Sequence, residues 1–319
     1  LINLDSEDEG ELFIGCAGGV DTTAHFDYQE KKIDKEWITY KIGFCGGVGG
    51  HSGDDIDKGR ANAIQLLSRS LYKIMKEFNI ALCAIDGGNK RNAIAREAYA
   101  IIALKGEDLK AIKKLHLATA EDIKAEYAAT EPNIAPIFEE AQWDGYAIDS
   151  QTAHNLISCF NSAPHGVLAM SMEMKGLVET STNLASVKMK DGRIRVGTSQ
   201  RSSINSARHH AAEKVEAAFL LAGAEFTHES EYPGWKPQLK SPVLDLCKKG
   251  YKELFGNEPI VRAIHAGLEC GLILDKYPDL DMISFGPTIR GVHAPGERLE
   301  LASLDKFNQL LQYVIVNCK

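Results

Sequence analysis

The clearest alternation of polar and apolar positions lies between residues 46 and 77. There the glycine-rich turn GGVGGHSGDD is followed by Ile64, Leu67, Leu71 and Ile74 at helical spacing. This period predicts an amphipathic helix over 56–77, with Ser52 as its cap. Asp54 and Asp55 would occupy the first turn, where the positive end of the helix dipole favours carboxylates. Upstream, the apolar run Leu1 to Leu4 reads as a buried strand entering the acidic turn SEDEGE, and segments near 20–28 and 37–45 read as further strands. Downstream come a strand ALCAIDGG, a strand AREAYAIIALK, a helix over 107–128 and a strand IAPIFEEAQW.

A similar order follows. TAHNLISCFNSA reads as a helix, HGVLAMSM as a strand, and VETSTNLASVKMK with GRIRVGTSQRS as a hairpin turned at Asp191-Gly192. A helix over 204–223 and a strand AEFTHES complete it. The segment EYPGWKPQLKSP, with prolines at 233, 237 and 242, breaks any regular element. Beyond it lie a helix near 242–255, a strand EPIVRAIHA, a helix after Gly267, a strand DMISFGP, a loop through Pro295 and a helix near 301–316.

The fold class is therefore α/β with α+β. A parallel sheet built from the two ends of the chain is interrupted by an inserted α+β domain with two similar halves. The expected segments are 1–18, 19–231 and 232–319.

A length of 319 residues accommodates two cores. A net charge of -8 speaks against a nucleic-acid surface, so a small-molecule partner is expected. With no apolar run of about 18 residues, no membrane span is expected. Seven scattered cysteines without a CxxC pair suit reduced thiols and a cytoplasmic location. The chain opens at Leu1 with neither an initiator methionine nor a signal-peptide pattern, and reads as cut from something longer.

His51 stands at the tip of the glycine turn, where the backbone can approach a ligand closely. The lysine of a phosphate loop is missing. By pattern alone, His51 reads as a histidine in a tight turn with no ligand. Asp5, after the opening strand, sits where ligands collect in open α/β sheets, and reads either as a metal ligand or as part of a solvated turn. His293, in SFGPTIRGVHAPGERL, reads as a metal ligand or as a loop histidine of no special role. Two ligands fall short of the roughly three that a catalytic zinc takes from protein.

The stretches LINLDSEDEGELFIGCAGG, GGHSGDDIDKGRANAI, GGNKRNAIAREA, TSQRSS, IHAGLECG and GPTIRGVHAPGERL together resemble the aminoacyl-histidine dipeptidase branch of the dizinc metallopeptidases. This is the Xaa-His dipeptidase, or peptidase D, group, with carnosinase among its relatives. The resemblance implies a zinc-dependent dipeptidase that hydrolyses Xaa-His dipeptides by metal-activated water, with a catalytic domain interrupted by a lid and a homodimer formed through that lid. It implies Asp5 and His293 as ligands to the two zinc ions. His51 would be the lid histidine that in dimeric relatives reaches the partner's active site and steadies the oxyanion. Arg201 would hold the substrate carboxylate with its bidentate fork, Asn92 and Gly267 would make further substrate contacts, and Glu269 would meet the free amine.

The family's H-x-D motif, bridging aspartate and Glu-Glu pair, which precede the position of Asp5, are absent. His25-Phe26-Asp27 and Glu139-Glu140 imitate two of them in the wrong context. The expectation is accordingly a C-terminal portion of such an enzyme, inactive by itself. The alternatives are a non-catalytic homologue serving as a dimerisation or peptide-binding module, or a related exopeptidase or deacylase. The histidines at 116, 154, 165, 209, 210 and 228 read as packed or solvated lid residues. His265 precedes the Gly267 turn and reads as a packed histidine of no special role or, alternatively, as one standing beside the site.

Overall fold

The computed structural model describes residues 1–143, 145–292 and 295–318. From the amino end run β1 (Ile2–Asn3), β2 (Glu11–Cys16), β3 (Gly18–Asp27), β4 (Glu30–Lys32), β5 (Trp37–Cys45) and β6 (Gly50–His51). Helix α1 (Ala63–Glu77) leads to β7 (Ala81–Gly88), β8 (Ala93–Ile94) and β9 (Ala98–Lys105). Helix α2 (Leu109–Glu126) leads to β10 (Ala135–Glu140) and β11 (Tyr146–Ile148). Helix α3 (Ser150–Ser162) precedes β12 (Gly166–Met170), β13 (Val178–Lys190) and β14 (Arg193–Ser202), and α4 (Asn205–Leu221) precedes β15 (Glu225–Tyr232). The chain continues through α5 (Pro242–Phe255), β16 (Ile260–Ile264), α6 (Glu269–Lys276) and β17 (Ile283–Ser284). It closes with β18 (Ile289–Arg290), β19 (Arg298–Leu299) and α7 (Leu301–Asn317).

Two expectations about local structure need correction. The opening apolar run makes only the two-residue β1, with Leu1 and Leu4 exposed, whereas the buried strand is β2, whose Leu12 and Ile14 have no exposed surface. Helix α1 begins at Ala63 rather than near 56 because residues 52–59 form successive turns. In those turns Asp55 is already engaged, accepting the His51 N–H at 2.8 Å. The cap is Asn62, not Ser52: its side chain accepts from the N–H groups of Ile64 and Gln65 and donates to the Leu184 carbonyl at 2.7 Å. One buried amide thus satisfies orphan helix donors and ties α1 to β13.

The larger sheet runs β10-β5-β9-β7-β13-β14-β3-β15, with β12 paired to β13. It divides into two units of the same βαββαβ order. One is β5-α1-β7-β9-α2-β10, and the other is β3-α3-β13-β14-α4-β15. In each, the spatial order is fourth, first, third and second strand. The two second strands, β7 and β13, pair across the middle at Ser186↔Gly88, Val187↔Gly87 and Lys188↔Asp86. The first unit is inserted in the chain between the first strand and first helix of the second.

Strand alternation sends Ile42, Phe44, Ala24, Phe26, Ile194 and Val196 to one face, where they meet Ile64, Leu67, Leu71, Phe160, Val215 and Phe219 of the helices in one core. The opposite face carries no helix from either unit. In the 13- and 10-residue strands β13 and β14, turned at Asp191 and Gly192 with φ of 52° and 75°, this opposite face holds Ser181, Asn183, Ser199 and Arg201. Positive φ at both positions is what a two-residue hairpin turn requires.

The smaller sheet, β1-β17-β2-β16, is not wholly parallel: β1 with β17 and β2 with β16 are parallel, but β17 meets β2 in an antiparallel bridge. Leu12 and Ile14 pack there with Val243, Leu244, Cys247, Leu310 and Val314 of α5 and α7. Within the proline-rich segment, fully buried Trp235 exchanges backbone hydrogen bonds with Cys16, both at 2.9 Å. Among the described residues, no helix is long and apolar enough to cross a membrane.

Candidate active site

The helix-free face of the second unit is where the candidate residues gather. In the register of four adjacent strands, Ser181, Arg201, Gly19 and Tyr232 stand in one row across β13, β14, β3 and β15. Directly paired residues share a face, so Arg201 lies beside Ser181 on one side and faces the gap left by Gly19 on the other. The Tyr232 ring fills that gap: a Cβ on Gly19 would come within 2.6 Å of it.

The segment following β16 crosses this row. His265 Nε2 lies 2.7 Å from Ser181 Oγ, and Gly267 packs against the far edge of the Tyr232 ring, where a Cβ would come within 2.9 Å. The crossing is held from below by the Ala17 N–H, which is 3.0 Å from the carbonyls of both Ile264 and Ala266.

The next row on the same face, Asn183, Ser199 and Asp21, is covered by the segment before β8. Asn183 Nδ2 donates to the carbonyls of Arg91 and Ala93 at 3.2 and 2.9 Å, and Arg91 pairs with Asp21 at 2.6 Å. Strand β8 pairs in turn with β6, so His51 sits opposite Ala93, and the Ser52 N–H donates to the Asn92 carbonyl at 2.9 Å. The turn after His51 closes onto the crossing segment through Gly53, where a Cβ would come within 2.5 Å of the His265 carbonyl oxygen. His51, Asn92, Arg201 and Gly267, distant in sequence, are therefore brought to one locality of a single chain.

The electrostatics follow from that proximity. His51 Nδ1 lies 3.2 Å from Asp54 Oδ2. The hydrogen bond from His51 holds the Asp54 carboxyl below its ordinary value against the opposing effect of burial, with the charge of Arg201 adding to the shift. His265 is pushed down to about 4, first by burial and then by the positive charge of Arg201, and is therefore neutral near pH 7. Arg201 is 8% exposed, and among the described residues its side chain has neither an ion pair nor a hydrogen bond. A buried guanidinium without a carboxylate is costly, and this one is poised to accept an anion. Four buried polar atoms without partners lie in this one locality: Arg201 Nε, His265 Nδ1, Asn183 Oδ1 and Ser52 Oγ.

The remaining expected residues are placed differently. Asp5 is an exposed residue just beyond β1, its N–H 3.3 Å from Asn3 Oδ1. Glu269 is the exposed first residue of α6, and Asn92 is exposed in the turn before β8. His293 lies outside the described residues. Among the described residues, no three His, Cys, Asp or Glu side chains gather as metal ligands, so by themselves they do not make a zinc centre. The imitations resolve as structural groups: Asp27 pairs with Arg193, and Glu139 with Lys41 at 3.5 Å. Sequence reading missed Ser181, Tyr232 and the central position of His265. The available signal was the pair of glycines, Gly19 and Gly267, that make room for one aromatic ring.

Residues 35–131 match the family model described as the peptidase dimerisation domain. The chain is 38% identical over 311 residues to the cytosol non-specific dipeptidase of Escherichia coli (strain K12), a match covering 98% of this chain and 64% of that protein. It superposes on the crystal structure of the aminoacylhistidine dipeptidase from Vibrio alginolyticus with a TM-score of 0.94 at 36% identity, covering 99% of this chain and 65% of that one. Both matches run along this whole chain, so the expectation that it resembles the family only as a C-terminal portion is not borne out. What they establish is that the chain spans somewhat less than two thirds of these relatives' length. In sequence and in fold, the chain is similar to these two dipeptidases along nearly its whole length.

Proposed function

We propose that this chain serves in the hydrolysis of dipeptides, Xaa-His dipeptides among them, and that Arg201 holds the carboxylate at the substrate's C-terminus. The observation that carries this reading is the buried Arg201 guanidinium, left without a protein partner on a face where other polar atoms are also unpaired. His51, oriented by Asp54, is the group proposed to face the developing oxyanion: its Nε2 makes no hydrogen bond among the described residues and its side chain is 32% exposed. Asn92 and Gly267 border the same space, and Glu269, at the start of α6, is the proposed contact for the substrate's amine.

The metal in this reading is zinc, with Asp5 and His293 as this chain's ligands. When bound, zinc would polarise the peptide carbonyl and lower the pKa of a water. Residues 19–231 are proposed as the lid and 1–18 with 232–319 as catalytic-domain segments, in a homodimer formed through the lid. The match of residues 35–131 to a dimerisation domain supports that assembly. A cytoplasmic location is proposed from the scattered cysteines, which form no CxxC pair in the sequence, and from the relative named as cytosolic.

Calorimetric titration of this chain with an Xaa-His dipeptide and with its C-terminal amide tests the reading. The free acid should bind in preference to the amide, and Arg201→Met should weaken acid binding by about 100-fold while leaving the amide unchanged. Equal binding of acid and amide by the unaltered chain would defeat it.

A further inference from the structure

The carboxylate reading leaves His265 unused, although it is 6% exposed, contacts the row that holds Arg201, and keeps one ring nitrogen without a partner. Resting on that reading, we propose that His265 is a second binding residue for the substrate carboxylate, donating from Nδ1 to an oxygen of the group that Arg201 holds.

The geometry narrows the choice of ligand. Arg201 Nε can only donate, so whatever satisfies it is an acceptor. His265 Nδ1 is satisfied by the same group if it carries the ring proton. In this proposal the Ser181 hydroxyl, 2.7 Å from Nε2, is the donor to the ring, which leaves the proton on Nδ1. A carboxylate offers two oxygens in one plane, one for each donor, whereas a carboxamide offers a single oxygen and turns an NH2 toward one of them. A neutral imidazole is also the donor that can stand beside a guanidinium without repelling it. The ring is held by Ser181 on β13, and the backbone that carries it is held by Gly53, which packs against the His265 carbonyl.

Tyr232 completes the enclosure. Its ring is seated between Gly19 and Gly267 and closes the row on the side of Arg201 away from His265. The slot therefore has an aromatic wall and an imidazole donor on opposite sides of one arginine.

Two isosteric replacements separate this role from packing. His265→Asn keeps an N–H near the position of Nδ1, whereas His265→Gln reaches Ser181 and loses the donor. In titrations of the full chain with an Xaa-His dipeptide and its C-terminal amide, His265→Gln should weaken acid binding about tenfold and leave the amide unchanged. His265→Asn should stay within about threefold of the unaltered chain for both ligands. Ser181→Ala, which leaves the ring in place, should lower acid binding about threefold and change the imidazole nitrogen shifts that report the tautomer. If His265→Gln binds the acid as the unaltered chain does, or loses acid and amide equally, the inference falls, and the carboxylate reading stands provided that Arg201→Met still removes the acid preference. If the unaltered chain shows no acid preference, the reading falls and the inference with it. If His265→Gln does not fold, Ser181→Ala decides: an unchanged tautomer and unchanged acid binding overturn the proposal.

Discussion

The two βαββαβ units of the large sheet share a strand order and differ on the face the helices leave bare. In the first unit that face carries Lys41, which pairs with Glu139 at 3.5 Å and lies 4.3 Å over the Tyr99 ring, so its charge is answered within the unit. In the second, Arg201 occupies the same face, buried and unanswered, under a segment that arrives from outside the unit. The helix-covered faces of both units join in one apolar core. The repeated topology thus supplies stability on one face, and the candidate site gathers where the repetition is broken by the residues after β16. Open polar positions on a rigid sheet become a site only when another part of the chain closes over them.

The largest way to sharpen this comparison is acid. His116, fully buried in the first unit, contacts Ser70 Oγ at 2.8 Å and lies against the rings of Phe44 and Phe138, and burial pushes it down to about 4. His265 on the second unit is also pushed down to about 4. Between pH 6.5 and 4 the unfolded chain binds protons that the folded chain does not. Stability is therefore fully present above 6.5 and falls with decreasing pH, by on the order of 3 kcal/mol for each histidine. Urea unfolding at pH 7.5 and pH 4.5 measures the difference, and His116→Gln should remove the first unit's share of the pH dependence.

Core truncation should strike both units alike. Phe219→Ala, which removes the edge-on partner of Phe26 at 6.5 Å, should cost about 3–5 kcal/mol, and Leu71→Ala in the first unit about 2–5 kcal/mol. A much smaller loss in one unit, measured by the same unfolding curves, would show that the shared core is not equally tight.

On the open faces the units should part. Arg201→Met should lower dipeptide affinity by about 100-fold, whereas Lys41→Met should change it by less than about twofold, since that charge is already paired at a partly exposed position. The smallest effect tests the join: Asn62→Ala should cost about 1–2 kcal/mol by removing a helix cap and leaving the Leu184 carbonyl without its donor. A loss confined to the melting of α1, seen by hydrogen exchange, would show that the bond to β13 contributes little.

Much of the fold was legible because it rests on local periodicity. Helices α2 to α5 and α7 and the β13–β14 hairpin at Asp191-Gly192 lie within a few residues of the expected segments. The misreadings share a cause. Leu1 to Leu4 read as buried by composition, but burial depends on what packs over a strand, and the neighbours cover β2 instead. Ser52 and the two aspartates read as a helix start, but the side chains of Asp54 and Asp55 are committed to the turn around His51, and Asn62 takes the cap. In the site, His51, Asn92, Arg201 and Gly267 were named from family motifs; nothing in their local sequence requires them to meet.

The sequence by itself determined the elements, their order and the faces they bury, because helical and strand periods are written in neighbouring residues. Only the tertiary structure decided that Ser181, Arg201, Gly19 and Tyr232 share one row and that His265 lies across it. Cross-strand register and the path of a crossing segment depend on contacts between residues as far apart as Gly19 and Gly267, and no local pattern encodes them.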